Sequence, residues 1–131
     1  MKAFVDTSIL IAAFYPDHEH HERSLDLMLR YTGGEIGCAA DSFAEAYAGL
    51  TAMPGKKRVS GDEAMLYLES IRARLTRIAL TEDEYFEVVE EAAALGLSSG
   101  AIYDAIIARC AVKACVVKDS ACCGSPSRKC E

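Results

Sequence analysis

Four short apolar segments, at residues 2–5, 36–40, 77–80 and 115–118, are separated by longer stretches with helical spacing. That alternation is the strongest constraint on the fold. Strands joined by helices lie parallel, because each connection crosses back over the sheet, and the helices then cover both faces. The helix-start signals are specific. Ser42 with Glu45, Ser60 with Glu63, and Thr81 with Glu84 each have the spacing in which a hydroxyl caps the helix and an acid reaches back to the cap backbone. They predict helices over about 42–52, from 60 onward, and from 81 to near Leu95, with Gly96 as the last one's stop. Met65, Leu68, Ile71 and Leu75 form one stripe on the second of these. Shorter helices are expected over 9–14, ending before Pro16, and over 17–30, ending at Gly33-Gly34. Ser98 or Ser99 opens a last helix through about Ala114, and 115–118 reads as a fourth strand. The expected fold is α/β: a three-layer α/β/α sandwich on a short central parallel sheet.

A chain of 131 residues fits a single domain, expected to span 1–131, and a chain this long buries one real core. Hydrophobic residues at 51% and charged residues at 26% are globular rather than disordered composition. No apolar run approaches the roughly 20 residues of a membrane span, and the N-terminal run meets Asp6 at once. Neither a span nor a secretory signal is expected, so the expected location is cytoplasmic. Net charge is −6, with 9 basic and 18 acidic groups in residues 1–108 against 5 and 2 in residues 109–131. That balance argues against nucleic-acid binding by bulk charge alone, although a metal ion held by carboxylates can still carry it. Five of the six cysteines, Cys110, Cys115, Cys122, Cys123 and Cys130, crowd the C-terminal stretch, and they read as reduced thiols.

In a parallel α/β sheet, ligands gather beyond the carboxyl ends of the strands. Asp6 follows the first strand directly, either as a site residue or as the cap of the next helix, a role Thr7 or Ser8 also fits. Glu45 has a structural use as the capping-box acid of Ser42, but its surroundings, Phe43-Ala44 and Ala46-Tyr47, are apolar. Asp104 is the sharpest anomaly. Its neighbours three and four positions away are Gly100, Ala101, Ile107 and Ala108, so the carboxylate projects from an apolar surface. Burial there costs several kcal/mol unless a cation, a metal or a proton compensates it. Three acids on three elements make one oxygen-ligand site of the kind Mg2+ or Mn2+ takes, and such ions activate water for phosphodiester hydrolysis.

Phe4-Val5-Asp6-Thr7-Ser8-Ile9-Leu10, Glu45 within Phe43-Ala44-Glu45-Ala46-Tyr47-Ala48-Gly49-Leu50, and Tyr103-Asp104-Ala105-Ile106-Ile107-Ala108-Arg109-Cys110-Ala111 resemble the motifs of the PIN-domain family. Their order and spacing most resemble the VapC-type toxins of toxin–antitoxin pairs, over about residues 2–114. The resemblance implies a Mg2+- or Mn2+-dependent endoribonuclease leaving a 5′-phosphate and a 3′-hydroxyl. It also implies a homodimer and a cognate VapB-like antitoxin. Asp6, Glu45 and Asp104 would be the acidic cluster, with Thr7 and Ser8 as polar partners of the first acid. Asp119 stands nearest to where the family has a fourth acid, but it follows Asp104 by only 15 residues and no later strand follows it. The abrupt change of composition there is expected to reflect a truncation or frameshift, leaving an incomplete sheet edge and an atypical Cys-rich tail over 115–131. Two other classes remain open. One is a catalytically inactive PIN-like binding module that keeps only the partner interface. The other is a zinc module on the tail cysteines, which lack the paired knuckle spacing. His18, His20 and His21, with Asp17 and Glu19, read as a solvated helix start rather than a metal site.

Overall fold

The computed structural model describes residues 1–118. Strands β1 (Ala3–Val5), β2 (Ile36–Ala39) and β3 (Thr76–Ile78) alternate with helices α1 (Thr7–Phe14), α2 (His21–Arg30), α3 (Asp41–Ala52), α4 (Gly61–Arg72), α5 (Glu82–Ala94) and α6 (Ala101–Lys118). The sheet order is β1-β2-β3, every pair is parallel, and Ala3, Phe4 and Val5 sit opposite Ile36, Gly37 and Cys38.

Side chains alternate across a strand, and this register sends each parity to its own layer. Ala3, Val5, Ile36 and Cys38 face one way and pack with Leu10, Met28, Leu68, Ile71 and Leu75 of the α1–α4 side. Phe4 and Ala39 face the other way, onto Leu80, Val88, Ile106, Cys110 and Ala114 of the α5–α6 side. All residues of β1 and β2 are buried, as a parallel sheet covered on both faces requires. The result is the expected three-layer α/β/α sandwich. Gly37 is needed at the centre: a Cβ there would lie 2.8 Å from both the Met1 side chain and the Thr76 carbonyl oxygen.

The expected fourth strand does not form. Residues 115–118 are the final turn of α6, which runs unbroken through Ala114. The buried positions Ile106, Cys110, Ala111 and Ala114 keep helical spacing along one face, and no connection intervenes that would let the chain cross back and pair in parallel. Val116 and Val117 suggested a strand by composition, and the helix overrides that preference. Other boundaries differ as well: α1 starts at Thr7 rather than Ile9, α2 starts at His21 rather than Asp17, and β3 ends at Ile78 rather than at Leu80. No helix among the described residues is long and apolar enough to cross a membrane.

Candidate metal centre

Because the strands are parallel, their carboxyl ends open on one side, and the chain leaves β1 through Asp6. Asp6 is the N-cap of α1: its Oδ1 accepts from the Ile9 backbone N–H at 3.3 Å and from the Ser8 hydroxyl at 2.7 Å. The carboxylate is exposed, and Oδ2 has no hydrogen-bond partner among the described residues. Capping and availability therefore coexist in one side chain.

Thr7, the next residue, reaches across to α3. Its Oγ1 donates to Glu45 Oε1 at 2.6 Å, between half-buried side chains. α1 packs closely on α3 here: a Cβ at Gly49 would fall 2.8 Å from Ile11 Cδ1, so a larger residue at 49 would require the end of the Ile11 side chain to turn aside. Glu45 is not the capping-box acid its spacing suggested. The N-cap of α3 is Ala40, in helical conformation and without a side-chain bond, and the Ser42 side chain is fully buried with no partner for its Oγ among the described residues. The tertiary bond to Thr7 takes the carboxylate that local spacing assigned to a cap.

Asp104 lies in the first turn of α6 beside exposed Tyr103, and it is exposed itself. The expectation of a desolvated carboxylate on an apolar surface is corrected. Ile106, which is not on the Asp104 face, carries the packing, while Ala108 is exposed along with Asp104. Hydrogen bonds thus form two separate pairs, Ser8 with Asp6 and Thr7 with Glu45, and Asp104 stands on a separate element. Among the described residues, no three or more His, Cys, Asp and Glu side chains are grouped as a metal ion would need. Asp119, Cys122, Cys123 and Cys130 lie outside the described residues.

An acid that sequence reading missed sits beyond β2. Asp41 opens α3, and its Oδ1 accepts from the Tyr85 hydroxyl at 2.9 Å, across the sheet edge to α5. The signal was available, since Ala39-Ala40-Asp41 repeats the strand-then-acid order of Val5-Asp6. Burial first, and the bond to Asp41 second, push the Tyr85 hydroxyl pKa up. Burial likewise pushes the Cys38 thiol up to about 12 and Cys110 up to about 11, so neither is a thiolate nucleophile at neutral pH. The histidines are engaged locally: His21 Nδ1 lies 2.9 Å from the Ala12 carbonyl oxygen, and His18 Nδ1 accepts from the His20 backbone N–H at 3.0 Å. The basic turn at 56–58 is partly structural. Lys57 pairs with Asp17, and Arg58 Nε donates to the Met53 carbonyl oxygen at 3.0 Å.

The sequence profile of the PIN domain matches residues 3–117. The chain belongs to the PIN-domain family. It is also similar to Ribonuclease VapC40 of Mycobacterium tuberculosis, in strains CDC 1551 / Oshkosh and ATCC 25618 / H37Rv alike. The identity is 29% over 102 residues, covering 78% of this chain and 72% of that protein. The similarity supports a VapC-type PIN domain, and Asp6, Glu45 and Asp104 all fall within the matched PIN-domain span. For a PIN domain the donor chemistry is the relevant test. Asp6, Glu45, Asp104, Thr7 and Ser8 all offer oxygen, which suits a hard divalent cation such as Mg2+ or Mn2+ and not a soft, thiol-seeking one. The fit is one of donor type.

Proposed function

We propose that this PIN domain is a Mg2+- or Mn2+-dependent endoribonuclease, the toxin of a toxin–antitoxin pair, working in the cytoplasm on RNA. The observation that carries the reading is the Thr7–Glu45 bond, which ties an acid of α3 to the carboxyl end of the central parallel sheet, next to Asp6. Asp6, Glu45 and Asp104 would hold the ion, with Asp119 as a fourth acid. When bound, Mg2+ or Mn2+ supplies a more acidic water and neutralises charge on the scissile phosphate. The residues of the chain do the rest. Ser8 and the Ile9 N–H hold Asp6 through Oδ1, leaving Oδ2 without a hydrogen bond among the described residues. Thr7 holds one oxygen of Glu45 and so limits how far that carboxylate can swing. An acidic protein of net charge −6 needs such local compensation to accept a phosphodiester at all. The reading includes a homodimer and a VapB-like antitoxin as partner.

Cleavage of a mixed RNA pool tests it, with Mg2+, with Mn2+ and with EDTA. The parent is expected to cut with either ion and not in EDTA, and Asp104→Asn is expected to be inactive while folding normally. Parent-like cutting by Asp104→Asn removes Asp104 from the site. A parent that cuts nothing under any condition leaves the inactive PIN-like binding module as the better description.

A further inference from the structure

A cleft of about 420 Å3 opens between α1 and α2, within the size range of about 300–1,000 Å3 typical of small-ligand sites. Ser8 is one of its lining residues, and the same Ser8 hydroxyl donates to Asp6 Oδ1 at 2.7 Å. The cleft therefore adjoins the candidate metal centre directly. His18, His20 and Arg23 also line it, and the half-buried side chains of Ile9 and Leu27 supply its apolar part.

The charge of this cleft runs against that of the molecule. Asp26, the acid among its lining residues, is already paired with Arg30. His20 Nε2 lies 2.9 Å from Glu19 Oε2. Arg23 is exposed and makes no hydrogen bond or ion pair with any described residue. An unengaged guanidinium in an acidic chain, sharing one cleft with an apolar surface and with Ser8, the partner of Asp6, is complementary to an anionic ligand with an apolar body.

We propose that the α1–α2 cleft is a subsite for one nucleotide of single-stranded RNA next to the scissile phosphate. Arg23 takes a backbone phosphate, and Ile9 and Leu27 cover the sugar or base. The inference rests on the ribonuclease reading of the same neighbourhood. A phosphate contact of this kind fixes the strand's position without reading its sequence. A guanidinium on the phosphate and aliphatic side chains on the sugar or base read no base edge, so the subsite tolerates any base.

The test is fluorescence anisotropy with a 5′-labelled single-stranded RNA oligonucleotide in EDTA, for the parent, Arg23→Gln and Arg72→Gln. Arg72, on α4, is an arginine outside this cleft and controls for loss of one positive charge. Arg23→Gln is expected to bind three- to tenfold more weakly, and the slope of log K against log salt should shrink by about 0.7, the value for one phosphate contact on a single strand. Arg72→Gln should bind like the parent. Equal affinity and slope for Arg23→Gln and the parent overturns the subsite, as does an equal loss in Arg72→Gln or a parent that does not bind RNA. The two readings fail separately. A parent that cuts RNA but binds no worse on losing Arg23 disproves the cleft alone. A parent that binds through Arg23 but cuts nothing with either ion disproves the ribonuclease alone.

Discussion

Thr7 Oγ1 and Glu45 Oε1, 38 positions apart in sequence, meet at 2.6 Å where α1 leaves the sheet and α3 crosses it. The bond couples packing to chemistry. α1 is anchored by Leu10, which is completely buried, and α3 by Ala46 and Leu50, so the two polar ends have little freedom to part. A buried leucine contributes about 1.5–3 kcal/mol, more than the bond itself, so the hydrophobic contacts set the position and the hydroxyl sets the orientation.

Thr7→Val keeps the shape and removes the donor. It should cost about 1 kcal/mol, the usual net value of such a bond. RNA cleavage should fall further than stability does, because Glu45 is then unrestrained. Thr7→Ser retains the hydroxyl and should recover most of both. Thermal melts and cleavage rates for the three proteins check this. A Thr7→Val protein that loses stability but cuts at the parental rate would reduce Thr7 to a packing residue.

Asp6 serves as both cap and candidate ligand, and two substitutions separate these roles. Asn caps a helix about as well as Asp, so Asp6→Asn should melt within a few tenths of a kcal/mol of the parent. Asp6→Ala should lose about 1 kcal/mol. Both should be inactive on RNA. Cleavage retained by Asp6→Asn would leave Asp6 as a cap and nothing more.

Where local chemistry decided the outcome, the sequence was readable. Ser60 and Glu63 form the reciprocal cap their spacing announced, Thr81 and Glu84 do the same, and Gly96 follows α5 at a φ of 77°. The layers were readable as well, because the parity of Phe4 against Ala3 and Val5 is a property of strand geometry. Ser42 and Glu45 have the same spacing and behave differently, since Thr7, distant in sequence, competes for the carboxylate. No window of a few residues contains that competitor. The exposure of Asp104 was hidden for a related reason: apolar neighbours on a helix do not show which of its sides meets the sheet. The last turn of α6 went unread because two valines in a row favour a strand, and only the buried helical face through Ala114 overrides that preference.

Glu84 links pH to stability. Lys113 Nζ donates to its Oε1 at 2.7 Å, and the Thr81 backbone N–H donates to the same oxygen at 2.7 Å. Lys113 first, and the Thr81 N–H second, hold the carboxyl at about 2, below its ordinary 4.5. A depressed folded-state value means the contribution is complete above pH 4.5 and fades as pH falls from there toward 2. Glu84→Gln can still accept at the cap but carries no charge. Its melting temperature should therefore sit below the parent's at neutral pH, with the gap closing between pH 4.5 and 2. Melts at four pH values across that window measure it. A gap that stays constant would mean the ion pair to Lys113 contributes nothing through charge.

Metal binding and stability should move together. A divalent ion that binds the folded chain and not the unfolded one adds RT ln(1 + [L]/Kd), about 2.7 kcal/mol at a hundredfold excess over Kd. For a chain of 131 residues that corresponds to a rise in melting temperature of about 10 °C. Mn2+ should give the larger rise at equal concentration, because Mg2+ demands near-ideal octahedral geometry and sheds water reluctantly. The site as it stands favours that order: Ser8 and Ile9 engage one oxygen of Asp6, and Thr7 engages one of Glu45, so the ligands are partly committed before any ion arrives. Asp6→Asn and Asp104→Asn each remove a charge and a candidate ligand, and both ions should shift their melts little. Melts of the three proteins in EDTA, Mg2+ and Mn2+ need no substrate and no cleavage, so they probe the acids independently of activity. Equal shifts in parent and variants would place the ion elsewhere on the chain and take the metal chemistry away from Asp6 and Asp104.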